Sequence, residues 1–239
     1  MKNYILLLLM VTMLFPKQAT CQNDGAAIAA IGGVMAIGAV IASIEQMKEQ
    51  AELTATEWIL YNHPELTSFS LKTMSFDGKK AKDMSATSVI TYKIQEFVPE
   101  MDPELNGKKQ VLFGFTSPGW ISDYGIDFNK VSWFLIDDVE WMHMMVAYVN
   151  VASEEKNEAT LKANLKEGKI VNRGVKLGSR LAIPFFKLSG DMYVVTDYSE
   201  RLKLLYNERS LGIFLKETRD LVQIGRGDII DIHDFFFEE

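Results

Sequence analysis

Two unlike apolar segments stand back to back in the first sixty residues, and they constrain this chain more than anything after them. Tyr4 to Phe15 is apolar but for Thr12, follows the lone charge of Lys2 and stops at Pro16. That run is too short to span a bilayer and has the layout of an export signal. Ala19-Thr20-Cys21 puts small residues where a signal peptidase needs them, so cleavage is expected before Gln22. Lipidation of Cys21 is the rival reading, but Gln18 and Thr20 occupy places that a lipidation site fills with Leu and a small residue.

A leader of this form resembles the secretion signals of Gram-negative bacterial envelope proteins, over about the first twenty residues. Its removal takes away the single cysteine of the chain. The mature protein then has no disulfide, thiol nucleophile or thiolate ligand, and its stability rests on its core. A composition that is 48% hydrophobic suffices for one. The chain carries a net charge of −7, and the leader contributes two lysines and no acid. The mature surface is therefore acidic, which disfavours nucleic acid and anionic lipid as partners.

The second segment, Ala26 to Ile44, is uncharged; of its 19 residues seven are Ala, three Gly and one Ser. As a helix it would run about 28 Å, close to the roughly 30 Å of bilayer hydrocarbon. Two features weaken a transmembrane reading. Small side chains contribute little transfer energy, and the following flank, Glu45-Gln46-Met47-Lys48-Glu49, has no cluster of positive charge. Pairs such as Ala29/Gly33, Gly32/Ala36 and Gly38/Ala42 set small side chains one turn apart, a face that lets another backbone approach closely. Val40, Ile44, Met47, Ala51, Thr54 and Trp58 continue a seam spaced by fours and threes. Pro64 predicts the helix end by Asn62 or His63. Three readings of this helix stay open: packing on its own domain, docking on a membrane protein or bilayer, and self-association.

From Leu66 the period shifts towards two. Phe69, Leu71 and Thr73 predict one strand, Ile90, Tyr92 and Ile94 a second, and Val111, Phe113 and Phe115 a third with Gly114 on the opposite face. Asp137-Asp138 reads as a turn between two strands, with a helix over Val139–Ala152 as the competitor. Glu154 to Glu167 predicts a short exposed helix ending at Gly168. Leu181 to Thr196 predicts a hairpin turning at Ser189-Gly190-Asp191. Ser210 to Val222 fits helix or strand, and Ile229 to Phe236 reads as a last strand. The expected fold class is α+β: a signal peptide over 1–21, a long Gly/Ala-rich helix over 22–64, and a β-rich, mostly antiparallel domain over 65–239.

No motif carries a specific chemistry. His63, His143 and His233 share no zinc-helix spacing. A His beside methionines, as in Trp141-Met142-His143-Met144-Met145, suits Cu(I), but Met is more often an adaptable core filler. Asp228, Asp231, His233 and Asp234 lack the order of a calcium loop and read as charges on a strand edge. Asp137, Asp138 and Glu140 do not face one another across a cleft as a glycosidase pair must. Arg226-Gly227-Asp228 reads as a turn. There is no Gly-x-Ser-x-Gly elbow, phosphate loop or dinucleotide fingerprint.

The resulting expectation is a non-catalytic exported protein without cofactor or metal. It sits in the periplasm or at the periplasmic face of the outer membrane. Its partner is a membrane protein or a secretion or outer-membrane assembly, and the docking helix uses Ala29, Gly32, Gly33, Ala36, Gly38, Val40, Ala42, Ile44, Met47 and Trp58. Bilayer contact through 26–44, a self-associating envelope structural protein, and a soluble periplasmic enzyme or small-ligand-binding protein with a pocket in the β-rich domain are the alternatives. Mass spectrometry of the mature protein should find Gln22 at its N-terminus and no thiol; a diacylglyceryl group on Cys21 would overturn that reading.

Overall fold

A computed structural model describes residues 44–77, 87–122, 125–185, 193–206 and 210–238. The fold is α+β, with every strand pair antiparallel among the described residues. Helix α1 (Ile44–Asn62) leads into a four-stranded sheet ordered β1-β2-β3-β6, formed by β1 (Phe69–Ser75), β2 (Ser88–Glu96), β3 (Lys109–Thr116) and β6 (Val131–Asp137). A short ribbon, β4 (Ile121–Ser122) with β5 (Gly125–Ile126), interrupts the path from β3 to β6. Helices α2 (Asp138–Ala152) and α3 (Glu158–Glu167) follow, then a three-stranded sheet of β7 (Lys169–Val171), β8 (Gly174–Leu177) and β9 (Arg180–Pro184). The last sheet runs β10 (Val194–Asp197), β11 (Leu202–Tyr206), β12 (Ser210–Leu215) and β13 (Leu221–Gly225), and α4 (Arg226–Phe237) closes the chain.

The first sheet is apolar on both faces, and its register sorts the side chains. Ile90, Tyr92 and Ile94 of β2, Leu112 of β3 and Trp133 of β6 form one buried cluster with Met47, Ala51, Ala55 and Ile59 of α1. Val111, Phe113 and Phe115 point the other way, into a larger cluster with α2, α3, α4 and the last sheet. Period two does this, since neighbours on a strand take opposite faces. Gly114 lies opposite Trp133, and a Cβ there would stand 2.8 Å from the indole ring. The glycine lets that ring lie flat over β3, where it also stacks on Trp58 at 5.8 Å.

The end of α1 falls where Pro64 places it, with the His63 N–H bonded to Ile59 O at 2.7 Å. Polar bolts fix the helix to the sheet. The Tyr92 hydroxyl donates to Ala51 O at 3.1 Å, and Glu52 Oε1 accepts from the Thr73 amide at 3.1 Å and its hydroxyl at 2.5 Å. Burial, and secondarily the Glu52 charge, push the Tyr92 hydroxyl well above the usual tyrosine range, so it stays a donor. The helix thus lies in the same compact unit as the sheets.

Four local expectations differ from the structure. The chain after Asp137 is helical, not a second strand: the Asp137 carboxylate caps α2 by accepting the Glu140 amide at 3.0 Å. That bond holds its carboxyl below the usual range. Trp141, Met144, Met145, Tyr148, Val149 and Ala152 then repeat by threes and fours on the buried side. The segment from Ile229 to Phe236 is also helical, because Ile229, Ile232, His233 and Phe236 repeat in the same way. Among the described residues the two arms of the hairpin expected over 181–196 do not pair with each other: β9 pairs with β8 and β10 with β11, in separate sheets, while its turn lies outside the described residues. Helix α3 is half sunk, with Leu161 and Leu165 fully buried. The ambiguous stretch from Ser210 resolves as strands β12 and β13.

Since α1 shares a buried cluster with the sheet, truncating Ile59, which is 0% exposed, should destabilise the whole unit. Ile59→Ala is expected to lower unfolding free energy by about 2–5 kcal/mol. Urea denaturation followed by both circular dichroism and tryptophan fluorescence checks this; an unchanged midpoint would sever the helix from the cooperative core.

Candidate functional site

Of the ten residues expected to form the docking face, Ala29, Gly32, Gly33, Ala36, Gly38, Val40 and Ala42 lie outside the described residues. The three others open and line α1. Met47 is 2% exposed and packs into the cluster beneath the helix, and Trp58 packs half-buried against Trp133. Ile44, on the same side of the helix, stays 42% exposed. The lower half of the seam is therefore occupied by the protein's own sheet. No described helix is long and apolar enough to cross a membrane.

The opposite side of α1 carries exposed apolar side chains outside the predicted seam. Leu53, Leu60 and Tyr61 are 41%, 59% and 70% exposed. A spacing of seven residues places Leu60 on the same side as Leu53, while Tyr61, seven residues after the buried Thr54, borders that side at the end of the helix. Glu57 stands among them, one turn from Leu53 and Tyr61. Its Oε1 is shielded from water and has no hydrogen-bond partner among the described residues. Desolvation raises its pKa above the ordinary carboxylate value. A helical wheel centred on Leu53 rather than Met47 exposes this grouping in the sequence.

A second feature surrounds α4. A groove of about 390 Å³ runs between this helix and the first sheet, lined by Lys72, Lys93, Asp231, Asp234, Phe235 and Glu238, among others. Lys72 and Lys93 face each other directly across β1 and β2. Lys93 and Lys109 approach the Phe235 ring, at 5.8 and 5.6 Å from its centroid. Only the strand register and the helical state of α4 bring these groups together, so no sequence spacing announces the groove.

The remaining sequence candidates disperse. His63 Nδ1 pairs with Glu65 at 2.9 Å, and its ring lies 5.3 Å from that of Trp58. His143 is exposed on α2, 3.9 Å from Glu140, while Met144 and Met145 are buried, so no His–Met ligand set converges. His233 turns inward, away from Asp231, and bonds Trp141 and Leu165. Asp137 caps α2, and Glu140 accepts the Tyr198 hydroxyl at 2.6 Å. Arg226-Gly227-Asp228 forms the first turn of α4, with the Arg226 guanidinium bonded to Asn172 O and lying 5.3 Å from the Phe185 ring centre. Among the described residues no three His, Cys, Asp or Glu side chains gather as metal ligands. No family model, curated protein or solved structure matches this chain.

Proposed function

We propose that this is an exported, non-catalytic cell-envelope protein that binds a membrane-associated protein partner through its N-terminal helical region. It would serve as an accessory or plug-like subunit of an outer-membrane or secretion complex. The outer side of α1 carries this reading. One side of the helix is bolted to the sheet, while the other presents Leu53 and Leu60, with Tyr61 at its border, beside Glu57, whose Oε1 has no hydrogen-bond partner among the described residues. The apolar segment 26–44 ends at Ile44, the first residue of that helix, so no linker separates the two in sequence. A fitting partner offers an apolar surface with small residues opposite 26–43 and one basic side chain for Glu57. Exposed apolar side chains grouped on one helix of a folded unit support an interaction site.

The alternative is a periplasmic ligand-binding protein using the groove beside α4. The groove's separated lysines and carboxylates favour a polar, charged ligand over an apolar one.

Photocrosslinkers at Leu60 and at Ala36 in the full chain, activated in intact envelopes, test the docking reading. A single partner adduct common to both positions is expected, and Gly33→Leu should weaken it severalfold, because a large side chain blocks close backbone approach. In a plain bilayer anchor the same substitution strengthens membrane retention, since Leu partitions better than Gly. Rising retention with no partner adduct, or adducts only between copies of this chain, overturns the proposal.

Glu57 supplies a separate check. Its carboxylate is destabilised by desolvation without a partner, so Glu57→Gln should raise, not lower, the melting temperature of the isolated protein while weakening the crosslink at Leu60.

A further inference from the structure

His233 is 1% exposed, at the point where three helices meet. Its Nδ1 lies 3.3 Å from Nε1 of Trp141 on α2, and its Nε2 lies 2.8 Å from the Leu165 carbonyl on α3. An indole nitrogen only donates and a carbonyl only accepts. Both contacts are satisfied by one form of the ring: neutral, with the proton on Nε2 and the lone pair of Nδ1 towards the indole. An imidazolium has N–H on both nitrogens. Its Nδ1–H would meet the Trp141 N–H donor to donor, in a site closed to water.

Few charges surround the imidazole. Among the described residues, Asp234 on α4 itself is the one charged side chain that acts on it, favouring the cation. Helices α2 and α3 contribute Trp141, the Leu165 carbonyl and the backbone at Gly168. Lys109 and Lys169, on strands packed against α4, bond to Glu238 instead. The Phe237 ring lies 4.8 Å away.

We propose that His233 is an acid-sensitive latch on α4: a proton taken from solvent at Nδ1 breaks the hydrogen bond from Trp141 and frees the C-terminal helix from α2. Ile229, Ile232 and Phe236 sit on the same side of α4 as the imidazole and are buried with it, so release exposes an apolar stripe. The helix also touches β1, β3, β7, β12 and β13, so its loosening reaches the first and last sheets and β7 of the three-stranded one. The latch stands independently of the docking reading; only its exposure to external pH in the envelope rests on export.

Desolvation holds the His233 pKa below 6.5, against the opposing pull of the Leu165 and Gly168 backbone and of Asp234. The unfolded chain therefore takes the proton first. The stabilisation is complete above about pH 6.5 and is lost as pH falls towards the folded pKa, at up to about tenfold in the folding constant per pH unit. Asp137, Asp197 and Glu158 have lowered pKa values and act below this window. Glu57, with a raised pKa, works in the opposite sense.

NMR titration of the full chain tests the latch. The His233 ring should titrate below pH 6.5, and the Trp141 indole N–H resonance should move with the same midpoint. In His233→Gln the carboxamide oxygen accepts from the indole and the amide donates to Leu165 O, with nothing to titrate. Its urea midpoint should lack the fall between pH 7 and 5 expected of the unchanged protein. Trp141→Phe removes the donor and should raise the His233 midpoint. A ring that titrates at or above pH 6.5, an indole resonance without a step, or an equal acid slope in His233→Gln overturns the proposal. The titration of the unchanged protein decides the matter should the glutamine variant not fold.

Discussion

Every residue of β3 from Gln110 to Thr116 is buried, so water is excluded from both faces of the first sheet along this strand. The rest of the architecture answers to that constraint. A strand buried on both sides needs two covers, and one chain of this size supplies them from opposite ends. Helix α1 covers the Tyr92 and Leu112 face; α2, α4 and the last sheet cover the Phe113 and Phe115 face. Each fully buried Leu, Ile or Phe contributes about 1.5–3 kcal/mol, against an ordering entropy of comparable total size. Neither cover is dispensable on that balance.

The second cover depends on one polar point inside an apolar cluster. Three helices converge where the His233 imidazole bonds both Trp141 and Leu165 O. A buried polar group in such a place is stabilising only when fully satisfied. Complete satisfaction fixes the registry of α4 against α2 and α3, and it makes the same contact sensitive to one proton. Apolar packing of Ile229, Ile232 and Phe236 holds the helix down but cannot specify its rotation so narrowly.

Helix α1 carries the link between fold and proposed function. Its buried side contributes to stability, and the rest of its surface leaves Leu53, Leu60 and Tyr61 in water near the Glu57 carboxylate, whose Oε1 has no partner among the described residues. A helix free on both sides would add nothing to the core. One buried on both sides would have nothing left to present. The groove at α4 is polar and open by contrast, with like charges opposed at Lys72 and Lys93.

The sequence by itself determined the α+β class, the end of α1 at Pro64, and the alternation of β1, β2 and β3. All three follow from local chemistry, namely a proline that bars further helix and a side-chain period that needs no distant partner. It was misleading at α4, where the aromatic, β-branched content of Ile229 to Phe236 suggested a strand, although Ile229, Ile232, His233 and Phe236 also repeat at helical spacing. Tertiary structure decided which apolar side of α1 is buried. It decided too that β9 and β10 join different sheets, that Lys72 meets Lys93, and that His233 turns inward while Asp231 faces water. Those outcomes depend on register and on contacts between residues as far apart as Trp141 and His233. Spacing along the chain fixes which side chains share a face, but only the packed partner settles which face is covered.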